Sequence, residues 1–288
     1  MPLTQSQRQR LLLAPVYAAL VVAAGFTLVP FVWLICAAFK TNADVFSSNF
    51  LPRGDGFLGV AWERLTTLNF VRLFTELGIG RAMANSIFLA ATSALLATFF
   101  CALAGYALAK FRFPGRDWVI SLVLAALVIP GSLLMAPGYK LLYDLGLLDS
   151  YLGLLLPGIT PAFGVFLFRQ SMMNAVPATL LESARIDGAG EFRIFFTIVL
   201  PLVRPMIGAY LMITFLGAWN NFIGPQIVFQ DPARFPLSVA INQLRGLYGT
   251  DYGLIMSGTL VSIAPVLALF LLLQKEFIAG LTSGAVKG

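Results

Sequence analysis

Histidine is absent from these 288 residues, cysteine occurs twice, and only 11% of positions are charged. With no histidine and two thiols, a zinc or other soft-metal site has almost no ligands to draw on. The same poverty removes the usual general base, and no paired carboxylates face each other within the long apolar runs, so an enzyme lacks its inventory. No Gly-Lys dipeptide occurs, and with it goes the phosphate-cradling loop of a self-powered ATPase. The alternating ten-residue pattern of a transmembrane barrel is missing, as are internal repeats, low-complexity tracts and any soluble domain.

What the chain does have is apolar length. It is 59% hydrophobic with a mean hydropathy of +0.86, far from a soluble average in which about a quarter of residues are charged. Charge-free stretches run between Arg10 and Lys40, Arg81 and Lys110, Asp117 and Lys140, Asp149 and Arg169, Arg204 and Asp231, and Asp251 and Lys275. Each is near or above the roughly 20 residues that a helix needs to cross the hydrocarbon core. An all-α integral membrane protein is therefore expected, one domain over 1–288 with six spans near 11–38, 83–109, 118–138, 151–168, 206–228 and 252–274. The first run is too long for a typical signal peptide and lacks a cleavage site, so it is expected to be retained. Cys36 and Cys101 fall within spans, where a structural disulfide is not expected.

With six spans both ends lie on one side, and that side would carry eleven of the 19 Lys and Arg residues. The short loop from Lys110 to Asp117 is densely basic, and short loops weigh most in the positive-inside rule. Both termini, a loop at 174–204 and the tail at 275–288 are thus assigned to the cytoplasm. This topology accounts for the net charge of +6 and leaves no patch resembling a nucleic-acid site.

Along the chain, Pro52-Arg53-Gly54-Asp55-Gly56 signals a turn in the outer segment 40–81, where Trp62, Leu65, Leu68, Phe70, Leu73 and Phe74 have the spacing of an amphipathic helix. Pro130-Gly131 and Pro137-Gly138 interrupt the third span, Pro157-Gly158 and Pro161 the fourth. Broken helices free backbone carbonyls and are tolerated only where protein or a wet cavity satisfies them. Asn220 and Asn221, following Trp219 in the fifth span, must bond a neighbour, water or a ligand. Together with Asn85 at the start of the second, these residues are the candidates for a substrate pathway.

The most informative stretch is the polar interlude at 182–201 between two apolar runs. Pro177 suits the first turn of a helix and Gly188 the left-handed position that ends one. After it Phe192, Phe195, Phe196 and Val199 recur at helical spacing as far as Pro201, and Pro205 opens the next run. The reading is a compact helix-turn-helix at the membrane surface.

Glu182, Ala184, Gly188, Ile198, Leu200 and Pro201 resemble the cytoplasmic EAA loop of bacterial ABC importer permeases, with Ser183 where the family favours Ala. The resemblance implies a coupling helix, with Asp187 in its turn, that sits in a cleft of a separate ATPase subunit. Other segments resemble the smaller of the two paired membrane subunits of maltose-type importers: Gly105 to Arg116, Leu148 to Tyr151, Phe168-Arg169-Gln170, Trp219-Asn220-Asn221 and the tail from Gly280 to Gly288. This implies a type I (MetI-like) permease bundle in the bacterial inner membrane. It also implies a second homologous permease, a dimer of ATP-binding subunits and an extracytoplasmic solute-binding protein as partners, with lipid around the helices. The tail, including Gly284 and Lys287, would reach the ATPase interface, and ATP and Mg would be held by that partner, with no cofactor in this chain. Uncharged spans favour a neutral hydrogen-bonding solute, and the resemblance makes that a sugar, oligosaccharide or polyol. Glycerol phosphate and related esters are an alternative. An ion-coupled carrier is a further one, disfavoured because acidic residues are missing from the spans.

Overall fold

The computed structural model describes residues 5–246 and 249–285, and these are mostly helical. Three helices are long and apolar enough to cross a membrane: Leu13–Ala38 within α1 (Gln5–Ala38), α3 (Ile79–Lys110), and Tyr252–Lys275 within α14 (Tyr252–Ala285). Three bent pairs also pass in length and composition, so the count rises to six if each pair is one span.

Each bend has a local cause. α4 (Arg116–Val128) ends before Pro130 and meets the 131–144 segment at 97°. The second Pro-Gly pair does not interrupt: α5 (Met135–Asp144) starts two residues before Pro137, so the missing amide falls in the first turn, where it would have had no partner. α6 (Tyr151–Leu155) and α7 (Ala162–Ala175) are broken by 42° across Pro157 and Pro161. The expected fifth span is not one helix. α11 (Arg204–Trp219) stops at the Asn pair, and α12 (Ile223–Val228) begins afresh. Pro225 sits third in α12, and the amide of Gly224 bonds the Asn221 Oδ1 at 3.0 Å, so the side chain supplies the acceptor that a continuing helix would have given.

The chain divides into two compact units, 1–79 with 241–261, and 80–240 with 262–288. In the first, the expected amphipathic helix shrinks to α2 (Leu68–Thr75), because Trp62 and Leu65 are held in a tight turn and bridge that precede it. Buried Asn69 on α2 donates to the carbonyls of Ala38 at 3.0 Å and Lys40 at 2.8 Å, capping the end of α1. Arg72 pairs with Asp251 at 3.0 Å, and Ser257 donates to the same Ala38 carbonyl at 2.8 Å. Two two-residue strands, β1 (Arg245–Gly246) and β2 (Gly249–Thr250), pair antiparallel.

The second unit holds the main core. Ala97, Cys101 and Leu108 recur on one face of α3 and meet Val165, Phe168 and Met172 of α7. Side chains this close require glycine: a Cβ on Gly105 would lie 2.7 Å from the Phe168 Cβ, and one on Gly164 would lie 2.1 Å from the Tyr210 Oη and 2.6 Å from the Cys101 Sγ. α4 packs along α7, and Tyr210 brings α11 into the same cluster.

Gly164→Ala is therefore expected to lower stability by about 1–3 kcal/mol through overpacking, seen as a reduced Tm in detergent. Gly217→Ala on α11, where a Cβ meets nothing within 4 Å, is the matched change that should leave Tm unmoved.

Candidate functional site

α8 (Ala178–Ile186) follows Pro177, whose extended ψ of 139° places it just outside the first turn rather than in it. The helix stops in a Schellman turn. Gly188 has a φ of 77°, its amide donates to the Arg185 carbonyl at 3.0 Å, and the amide of Ala189 donates to the Ala184 carbonyl at 3.0 Å. Ala184 and Ala189 are half-buried against the main core, supplying the apolar contact that accompanies such turns. Leu181 is buried beneath the helix, so the opposite face, with Glu182, Ser183, Asp187 and Gly188, points outward.

The return arm is α9 (Glu191–Ile194), a π-helical turn at Phe195–Val199 and α10 (Leu200–Leu202). Pro201 does not end the helix. The wide turn ahead of it, closed by the Leu200 amide on the Phe195 carbonyl, lets the winding continue past a residue with no N–H to give. The chain then breaks at Val203 and bends by 82°. Ile198 and Leu200 pack on the core, while Pro201 is exposed.

Two residues that the sequence reading passed over hold the arms together. The Arg185 Nε donates to the Glu191 Oε1 at 2.7 Å, the Tyr106 hydroxyl of α3 donates to the Oε2 at 2.9 Å, and the Arg185 guanidinium lies 5.9 Å from the centre of the Phe111 ring. The hydrogen bond from Arg185 holds the Glu191 carboxyl below its ordinary range. Opposite charges on either side of Gly188 were the available signal. Of the residues expected to form a coupling loop, Ala184, Ile198 and Leu200 pack toward the core, and Glu182, Ser183, Asp187, Gly188 and Pro201 lie outward. In the tail, α14 runs on to Ala285 and takes in Gly284, while Lys287 lies outside the described residues.

The pathway candidates divide. Asn85 is fully engaged: its Nδ2 donates to the carbonyls of Ala233 at 2.9 Å and Phe235 at 3.1 Å, and its Oδ1 accepts from the Tyr151 hydroxyl at 3.1 Å. It clamps the 231–236 segment to α3 and α6. Asp149, beside Tyr151, completes that clamp. At a φ of 53° it accepts from the amides of Gln230 at 3.0 Å and Asp231 at 3.1 Å and pairs with Arg234. Buried Trp219 stacks on Phe215 with centroids 5.7 Å apart. Asn220 turns back to the Leu216 carbonyl at 3.0 Å. Asn221 lines two cavities that the breaks at 157–161 and 220–222 create. One, of about 480 Å³, is bounded by α5, α6 and α12. The other, of about 210 Å³, is lined in part by the hydroxyls of Ser86, Ser93 and Thr214.

The family model described as the inner membrane component of binding-protein-dependent transport systems matches residues 101–275. The chain is 36% identical over 260 residues to the arabinooligosaccharides transport system permease protein AraQ of Halalkalibacterium halodurans, covering 90% of this chain and 91% of that one. It is 31% identical to the lactose transport system permease protein LacG of Rhizobium radiobacter, covering 94% and 95%. Among solved structures, a bacterial ABC transporter that imports alginate aligns with a TM-score of 0.76 at 22% identity, covering 96% of this chain and all of the matched one. The chain belongs to the binding-protein-dependent transport family, as a membrane permease component of ABC transporters and not an enzyme. Its fold is that of the type I ABC permease.

Glu191→Gln should loosen the loop without unfolding the bundle, since partly exposed ion pairs contribute at most about 1 kcal/mol. Faster hydrogen exchange of amides 184–191, with the amides of α7 unchanged, is the expected result. Because the folded carboxyl titrates below its ordinary 4.5, the contribution is present above that pH and is lost as pH falls through the lowered value, so acid should mimic the variant.

Proposed function

We propose that this chain is one of two paired permease subunits of an importer for a neutral saccharide or polyol, powered by ATP hydrolysis in a separate subunit. An extracytoplasmic binding protein delivers the solute to it. The observation that carries this reading is the outward face of 182–188, rigidly turned at Gly188 and tied to α3 through Arg185, Glu191 and Tyr106. A loop fixed so firmly to the bundle passes a push from outside the membrane to the helices instead of absorbing it.

In this mechanism six spans cross a bacterial inner membrane with both ends and the 174–204 loop in the cytoplasm, and the tail beyond residue 274 faces the ATPase. ATP binding closes the partner dimer, the loop moves with it, and α7 and α11 follow because Tyr210, Phe168 and Cys101 pack as one body with the loop's supports. The cavities beside Asn221 then form this subunit's share of the pathway. Neither lining contains a charged side chain, which suits a neutral solute better than a phosphate ester. The printed activities of the relatives, transport of arabinooligosaccharides and lactose, support the sugar class.

The test separates docking from folding. A Cβ at Gly188 meets nothing within 4 Å but inherits the left-handed φ of 77°, a strain of about 1–2 kcal/mol. Gly188→Asp should leave the chain folded and abolish sugar uptake in cells. Gly188→Asn, neutral and more tolerant of that conformation, should retain much of it. Co-purification from native membranes should recover an ATPase, a second permease and a binding protein; a chain recovered alone and still transporting would overturn the reading.

A further inference from the structure

Two cavities of opposite character adjoin at the turn between α3 and α4. One, of about 370 Å³, is lined mainly by Leu103, Ala107, Phe192 and Phe195 and is almost wholly apolar. The other, of about 510 Å³, is lined by Lys110, Arg112, Arg116 and Arg185 with Glu182 as its single carboxylate. Phe111 and Arg112 line both. The cations are unevenly compensated: Arg185 is paired with Glu191, and Arg116 lies 3.6 Å from Asp117. Lys110 donates only to a carbonyl, that of Val176 at 2.5 Å, and Arg112 has no hydrogen bond or ion pair among the described residues.

We propose that the paired cavities hold one anionic phospholipid, its phosphate between Lys110 and Arg112 and an acyl chain along Leu103, Ala107, Phe192 and Phe195. Charge complementarity selects the head, since two uncompensated cations face one carboxylate. The contiguous apolar cavity selects a ligand with a hydrocarbon tail over a soluble anion. The position fits as well, because α3 ends its charge-free run at Lys110, where a helix leaves hydrocarbon for the headgroup layer. Glu182, Arg185 and Glu191 border the same cavities, so the lipid lies against both arms of the coupling loop. This goes beyond the importer reading and requires only that the chain be embedded in a membrane.

Native mass spectrometry of the purified full-length chain, offered dioleoylphosphatidylglycerol or dioleoylphosphatidylcholine in mixed micelles, tests it. The glycerol lipid should be retained in preference to the choline lipid. Arg112→Ala should weaken that retention about fivefold, the contribution of one basic residue beside an anionic headgroup, while Arg53→Ala, outside both cavities, should leave it unchanged. Phe192→Asp should also lose the lipid, which keeps the proposal open to refutation if the Arg112 variant fails to fold. Equal retention of the two lipids, or a preference that neither variant alters, overturns the proposal. Displacement by inorganic phosphate that itself binds equally to wild type and Phe192→Asp would assign the cavity to a soluble anion and overturn it too. None of these readouts involves transport or partner subunits, so failure here leaves the importer reading standing.

Discussion

Everything in the larger unit depends on how closely α3, α7 and α11 approach one another. In hydrocarbon there is no hydrophobic drive to press helices together, so close van der Waals packing has to do that work. Gly105 and Gly164 make it possible by letting the Phe168 backbone, the Tyr210 ring and the Cys101 thiol occupy space that any side chain would fill. The Cys101 thiol, far from being a redox group, then finds the Pro161 carbonyl at 3.5 Å and the Tyr210 hydroxyl at 3.7 Å. The Pro161 carbonyl also accepts the first helical bond of α7, from the Val165 amide at 3.2 Å, so the thiol ties α3 to the point where α7 begins.

On that packed base stands the loop at 178–202, anchored to it along one side. Leu181, Ile194, Phe195 and Val199 are buried with the inter-helix cluster, so the loop belongs to the core on one side and to solvent on the other. The Schellman turn and the Arg185–Glu191 pair remove the remaining freedom between its arms. At the opposite end of the unit Asn85 and Asp149 act in a similar way, binding carbonyls and amides of the 230–235 segment, while the Tyr151 hydroxyl donates to the Asn85 Oδ1. These polar side chains act as fasteners for a backbone that leaves its helices often, and Asn221 is a pathway candidate that also lines both cavities.

Much of this was legible in the residues. Charge-free length located every long helix, and the Pro-Gly pairs at 130 and 157 located two of the bends. Gly188 announced the turn that carries the loop. The failures share one cause: periodicity reports apolar faces but not which backbone groups have substitutes for their helical partners. Pro137 and Pro201 read as interruptions, yet a first turn absorbs one and a wide turn the other. The Asn pair read as mid-helix polar residues, although Asn221 supplies the acceptor that lets α11 stop and α12 start. Arg185 and Glu191 were visible only as charges, since their meeting depends on the three-dimensional path of the turn between them.

The wide turn at Phe195–Val199 also bears on how such loops can diverge in length. A π-helical turn amounts to an ordinary helix carrying one extra residue. Losing one residue there would return the segment to regular winding and keep both flanks in phase. The same loss between Glu182 and Gly188 would rotate one out of phase with the other. Length variation by single residues thus has an outlet in this loop that leaves the phase of its flanking helical turns unchanged.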